Sequence, residues 1–165
     1  MNKDNIVGNS ITGGLNPFSD KADIHADLYY EEIRHMNTDC ERIVENTSFT
    51  MEQVLMIKHY LFLDEHNIDG VVRRFDSTFQ IAESWRRLAF DKTNIQPHDL
   101  ILLNHELLEM SYLNQGYSQQ EAHSLANEKY DYHSASIQYY EEMGFDITMF
   151  KSLTSGAISF GYNTH

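Results

Sequence analysis

The sequence predicts a mainly α protein, a single domain of about five helices with at most a small β-hairpin. Three observations carry this. Apolar residues recur three and four apart along most of the chain from Asp23 onward. Ser/Thr-x-x-Glu/Gln signals stand at Thr50–Gln53, Ser77–Gln80 and Ser118–Glu121, each just before such a stretch. Two prolines and eight glycines in 165 residues leave little material for a loop-rich fold. That length suits one domain with a proper core.

Residues 1–22 are Asn-, Gly- and Ser-rich with little periodicity, and read as a flexible lead-in. The domain proper is expected over 23–144. Ile24, Leu28, Ile33, Met36, Cys40 and Val44 mark a first helix running to about Val44. A second runs from the Thr50 cap to about Leu63, with Val54, Ile57 and Leu61 as apolar positions. After a turn at Asn67–Gly70, Val71–Phe75 is a lone strand candidate in need of a partner. Ser77 is expected to cap a third helix carrying Phe79, Ala82, Trp85 and Leu88, with Arg86 and Arg87 pointing outward. Ser118 opens a last long helix stopping near Gly144. Residues 145–165 read as a short extension, helical at first and irregular around Ala157–Tyr162.

Between the third and last helices lies Ile95–Gly116, IQPHDLILLNHELLEMSYLNQG, the most informative stretch of the chain. Pro97 suits the first helical turn and Gly116 the C′ stop. Apolar residues occupy almost every side, so most of this helix belongs inside. His98, His105 and Glu109 fall within roughly 40° of one another around its axis. Three ionisable groups in an apolar surround require partners, a metal or a chemical role.

The 25 acidic and 12 basic residues give a formal net charge of −13. Such a field repels phosphate backbones and anionic membranes, so nucleic acid is disfavoured unless a local basic patch overrides it. A single cysteine, Cys40, excludes an intramolecular disulfide framework and reads as a buried structural thiol. No apolar run approaches a membrane span, and no signal-peptide core is visible. The expectation is a soluble chain made in a reducing cytoplasm.

His105-Glu106-Leu107-Leu108-Glu109 has the form HExxE. A His and a carboxylate at i, i+4 project from one helix face and offer two ligands to a divalent ion such as zinc. Glu106 stands where HExxH metallopeptidases carry their general base, and Glu109 where they carry the second His. A third ligand is available from His98 or from His123. His98 is about 10 Å from His105 along the axis. His123 is therefore preferred, carried across by an antiparallel turn at Gly116. A second constellation holds His59, His66 and Arg73: a base, an acid and a cation suited to metal-independent phosphodiester cleavage.

DLYYEEIR, IKHYLFLDEH, RFDSTFQIAESWRRL, HDLILLNHELLE and NQGYSQQEAHSLANEKYDY occur in that order. Together they resemble a helical domain at the C-termini of phage minor-head (head-morphogenesis) proteins and polymorphic bacterial toxins. The resemblance covers about Ala26 to Tyr140 and is most specific at HDLILLNHELLE and the following GYSxxEAH. It implies a toxin-type effector cut from a larger delivery polypeptide, secreted or delivered into a target cell, with a cognate immunity protein as partner. It supplies no reaction. Its polar signature maps onto His59, His66, Arg73, Asp76, Trp85, His98, Asp99, His105, Glu106, Glu109, Glu121 and His123.

The leading expectation is therefore a hydrolase. His105, Glu109 and His123 or His98 hold the ion, and Glu106 activates water. Peptide bond and phosphodiester stay open as substrates, with the acidic surface favouring protein, cell wall or small molecule. The alternatives are the His59/His66 nuclease chemistry and a non-enzymatic acidic binding module, such as an immunity or phage accessory protein.

Overall fold

The computed structural model describes residues 16–148. Among them seven α-helices and one two-stranded antiparallel hairpin form a mainly α domain. The helices are α1 (Asp20–His35), α2 (Asp39–Asn46), α3 (Met51–Lys58), α4 (Phe79–Phe90), α5 (Pro97–Asn114), α6 (Gln119–Lys129) and α7 (Tyr132–Glu142). The expected lead-in lies largely outside the described residues, as does nearly all of the extension. Within the last residues of the lead-in, Ser19 already caps α1 by accepting from the Ala22 N–H.

Two expected long helices are each broken in two. The first stops at Met36, and α2 begins at Asp39 with no side-chain cap from Thr38. The break is held by a buried clasp. Lys58 Nζ donates to the freed Met36 carbonyl at 2.8 Å and to Asp39 Oδ1 at 2.9 Å. Trp85 Nε1 donates to Asp39 Oδ2 at 3.0 Å. The last helix breaks at Tyr130, and Asp131 caps α7 through the Ser134 N–H. Both breaks exchange helical bonds for tertiary ones, which no local periodicity records.

The capping boxes at Thr50 and Ser118 form as expected. That at Ser77 does not: Thr78 caps α4, and the Ser77 hydroxyl turns to Asp27. α5 ends in a Schellman arrangement. Gly116 has φ +93°, its N–H meets the Leu113 carbonyl, and the Tyr117 N–H meets Tyr112. The strand candidate finds its partner in His66–Ile68, joined by Asp69-Gly70 with both φ positive, the twist that a two-residue hairpin turn requires. Beyond α3 the helix widens into one π turn, His59–Leu63, closed by the Asp64 N–H on the His59 carbonyl.

The core is centred on Trp85, with the Phe62 ring edge-on at 5.0 Å and Tyr30 packed on Phe62 in turn at 4.8 Å. Tyr29, Ile33, Ile43, Ile57 and Leu88 are fully enclosed around it. Each such aliphatic side chain contributes about 1.5–3 kcal/mol by leaving water. Arg86 and Arg87 correct the sequence reading. They are not outward cations but sit at 2 % exposure, paired with Glu83, Asp91 and Asp99. α5 is less enclosed than expected: seven of its eighteen residues are buried, Leu100 is exposed, and of the seven only Leu102 and Leu103 are apolar. His98, Asp99, His105, Glu106 and Glu109 are the rest.

Candidate metal centre

The α5–α6 turn folds α6 back along α5 and brings His123 against His105 and Glu109. His105 Nε2 lies 3.0 Å from Glu109 Oε2 and 3.3 Å from His123 Nδ1, and His123 Nδ1 lies 2.9 Å from Glu109 Oε2. A tetrahedral ion with bonds of about 2.0–2.1 Å keeps its donors about 3.3 Å apart. Two imidazole nitrogens and one carboxylate oxygen thus stand at nearly the separation that one zinc ion imposes.

The far side of each ligand is held. His105 Nδ1 donates to the Tyr130 carbonyl at 2.9 Å, which leaves the Nε2 lone pair facing the centre. That carbonyl is part of the break between α6 and α7. Glu109 Oε1 accepts from the Tyr60 hydroxyl at 2.5 Å and from Gln119 Nε2 at 2.6 Å, so Oε2 alone faces the imidazoles. The Asn127 amide lies 3.0 Å from His123 Nε2. A half-turn of that amide presents its oxygen to an Nε2–H and frees Nδ1 for an ion. Tyr60 and Gln119 went unread in the sequence. Tyr60 arrives on the π turn, a helix irregularity that recurs at functional sites, and nothing in HYLFL announces it.

Electrostatics couples the group tightly. Burial pushes the His105 imidazole down, but the Glu109 hydrogen bond and the charges of Glu106 and Glu109 outweigh it and raise it to about 9. Burial likewise works to raise Glu109, and hydrogen bonds from both imidazoles hold it low instead. Without a metal, a proton on His105 therefore bridges to Glu109. A divalent ion held by these residues would take that proton's place and release it. Burial pushes Glu106 up to about 8, against the pull of His105. It lies within electrostatic reach of Tyr30, Tyr60 and Glu109 but is not one of the three converging ligands.

His98, the other ligand expected from α5, faces a different neighbourhood. Its Nε2 accepts from Arg87 Nη2 at 3.1 Å, and its ring packs against Tyr139 at 4.9 Å. Two helical turns separate it from His105, and its side is occupied by α4 and α7 rather than α6. Burial pushes His98 down to about 4, with the Arg87 charge adding to it and Asp99 opposing. A neutral buried histidine binds fewer protons than the unfolded chain between pH 6.5 and about 4. Its contribution to stability is full above that window and is lost as pH falls through it. Urea midpoints should drop across this range in the native chain and less steeply in His98→Gln. Equal slopes would refute the assignment.

The second constellation is not assembled. His66 is on the hairpin rather than on a continued helix; its Nε2 donates to the Tyr60 carbonyl at 2.7 Å and its ring stacks on Phe75. His59 is exposed beside Asp64 at 3.6 Å, and Arg73 pairs with Asp76 at 2.9 Å. His66 and Arg73 stand opposite each other across the hairpin, yet His66 bonds the Tyr60 carbonyl, Arg73 pairs with Asp76, and His59 lies against Asp64.

No protein-family model, curated protein or solved structure matches the chain. Among the described residues, no helix is long and apolar enough to cross a membrane.

Proposed function

We propose that this chain is a zinc-dependent hydrolase of the effector type, with His105, Glu109 and His123 as its metal ligands. The reading rests on one observation, the convergence of His105 Nε2, Glu109 Oε2 and His123 Nδ1 within 2.9–3.3 Å. A bound divalent ion would acidify a water molecule and polarise the substrate oxygen. Tyr60, Gln119 and the Tyr130 carbonyl keep the ligand atoms aimed while charge develops. Glu106, whose carboxyl burial keeps protonated up to about pH 8, would lose that proton beside a bound cation; it would then take the one that the attacking water gives up and return it to the leaving group. The water's hydroxyl ends on the electrophilic atom of the substrate and its proton on the departing one. His123 is the ligand most open to solvent, its side chain 14 % exposed against 3 % for the other two.

The biological setting is supported by the resemblance over Ala26–Tyr140: delivery from a larger polypeptide and neutralisation by an immunity protein. Producing the chain in bacteria without that partner should stop growth, and the purified protein should carry zinc near one per chain. A chain that is harmless and metal-free overturns the reading in favour of a binding module. One that holds zinc but is harmless, even when produced at high level, leaves a structural zinc site and overturns the hydrolase.

A further inference from the structure

Beside the centre, on the outer side of α3, runs an open groove of about 630 Å³. Its floor is apolar: Met51, Leu55, Met56 and Met110, with the first three each more than a third exposed. Its rim carries the carboxylates of Glu52 and Asp64 and the imidazole of His59, which lies 3.6 Å from Asp64; no lysine or arginine lines it. Tyr60 belongs to both places, lining the groove while its hydroxyl holds Glu109. Met110 follows Glu109 directly in α5.

We infer that this groove receives a polypeptide segment whose bulky apolar side chains are flanked by lysine or arginine, which makes polypeptide the substrate class of the adjoining centre. Binding in the groove stands on its own observations; only the substrate assignment rests on the hydrolase reading. The argument is charge complementarity around an apolar floor. Carboxylates at the rim repel phosphodiesters and anionic lipid, and the chain as a whole carries −13. A segment with cations on either side of an apolar stretch satisfies both parts at once. Methionine side chains, unbranched and polarisable, adapt to varied apolar partners. Met51, Leu55 and Met56 are exposed side by side along one groove, and a contiguous apolar patch, unlike scattered apolar residues, marks an interaction site.

The test uses the whole chain and a labelled amphipathic peptide of leucine and lysine. A matched leucine–glutamate peptide and a labelled single-stranded oligonucleotide serve as comparisons. The leucine–lysine peptide should bind, more weakly in high salt, and should still bind after chelation of metal. Met56→Asp, at an exposed position, should weaken it about tenfold, equivalent to about 1.4 kcal/mol. This substitution makes the protein more acidic, so general attraction of a cationic peptide would strengthen instead. Unchanged or tighter binding by Met56→Asp overturns the groove. So does preferential binding of the oligonucleotide, or self-association that Met56→Asp abolishes, which would assign the face to a second copy. Zinc content measured on the same samples separates the two claims. Peptide binding without zinc sinks the hydrolase and spares the groove, whereas zinc without peptide binding does the reverse.

Discussion

Replacing His105 with alanine should lower zinc affinity by on the order of a hundredfold or more. Structural zinc sites with four ligands bind with about 10–16 kcal/mol, or roughly 3 kcal/mol for each ligand. His105 contributes more than one bond. Its ring also ties Glu109 and His123 together at 3.0 and 3.3 Å, and it anchors α5 to the Tyr130 carbonyl. Competition against a chromogenic chelator measures the change directly. Tyr60→Phe supplies a graded comparison, because it removes only the hydroxyl that holds Glu109 Oε1. Loss of such an outer partner costs about 10–100-fold in affinity. The expected order is native, Tyr60→Phe, then His105→Ala, with circular dichroism unchanged for Tyr60→Phe. Native-like affinity in His105→Ala would remove the metal centre altogether.

A second large effect is expected far from that centre. Arg87 is enclosed between α4 and α5, with Nε on Asp99 Oδ2 at 2.9 Å and Nη2 on Asp99 Oδ1 at 2.8 Å. Its guanidinium also lies over the Tyr139 ring. Arg87→Met keeps the packing and leaves the Asp99 carboxylate buried, with the Gln96 N–H among its remaining donors. Breaking a buried pair in this way costs about 3–5 kcal/mol, which lowers the thermal midpoint by roughly 10 °C. The double variant Arg87→Met/Asp99→Asn removes both charges while preserving an acceptor for the Gln96 N–H. It should be markedly more stable than Arg87→Met alone. If the two variants unfold together, the cost lies in lost packing and the stranded-charge account fails.

Both predictions depend on parts of the molecule that differ in how visible they are along the chain. The caps at Thr50 and Ser118, the Pro97 start and the Gly116 stop are local arrangements spanning a few residues, and each was legible. So was the projection of His105 and Glu109 from one face of α5, which follows from helical pitch alone. His123 was reachable from the short turn at Gly116, which leaves α6 little choice but to fold back. The two helix breaks were not legible, because Asn37–Asp39 and Asp131 pass for polar positions, and Tyr130 for an apolar one, on continuous helices. What ends the helices there is a tertiary partner for the freed carbonyl: Lys58 for Met36, and His105 for Tyr130.

The sequence by itself determined the helical class, the bounds of α5 and the projection of His105 and Glu109 from one helix face, since short-range hydrogen bonding and residue spacing carry that information. Tertiary structure alone decided that His98 joins Arg87, that His59 lies against Asp64 and that His66 bonds the Tyr60 carbonyl. It also brought Tyr60 and Gln119 behind Glu109 and buried both arginines. Those outcomes depend on which distant charges meet once water is excluded. Desolvation makes such a meeting favourable only when each charge and each freed carbonyl finds its counterpart.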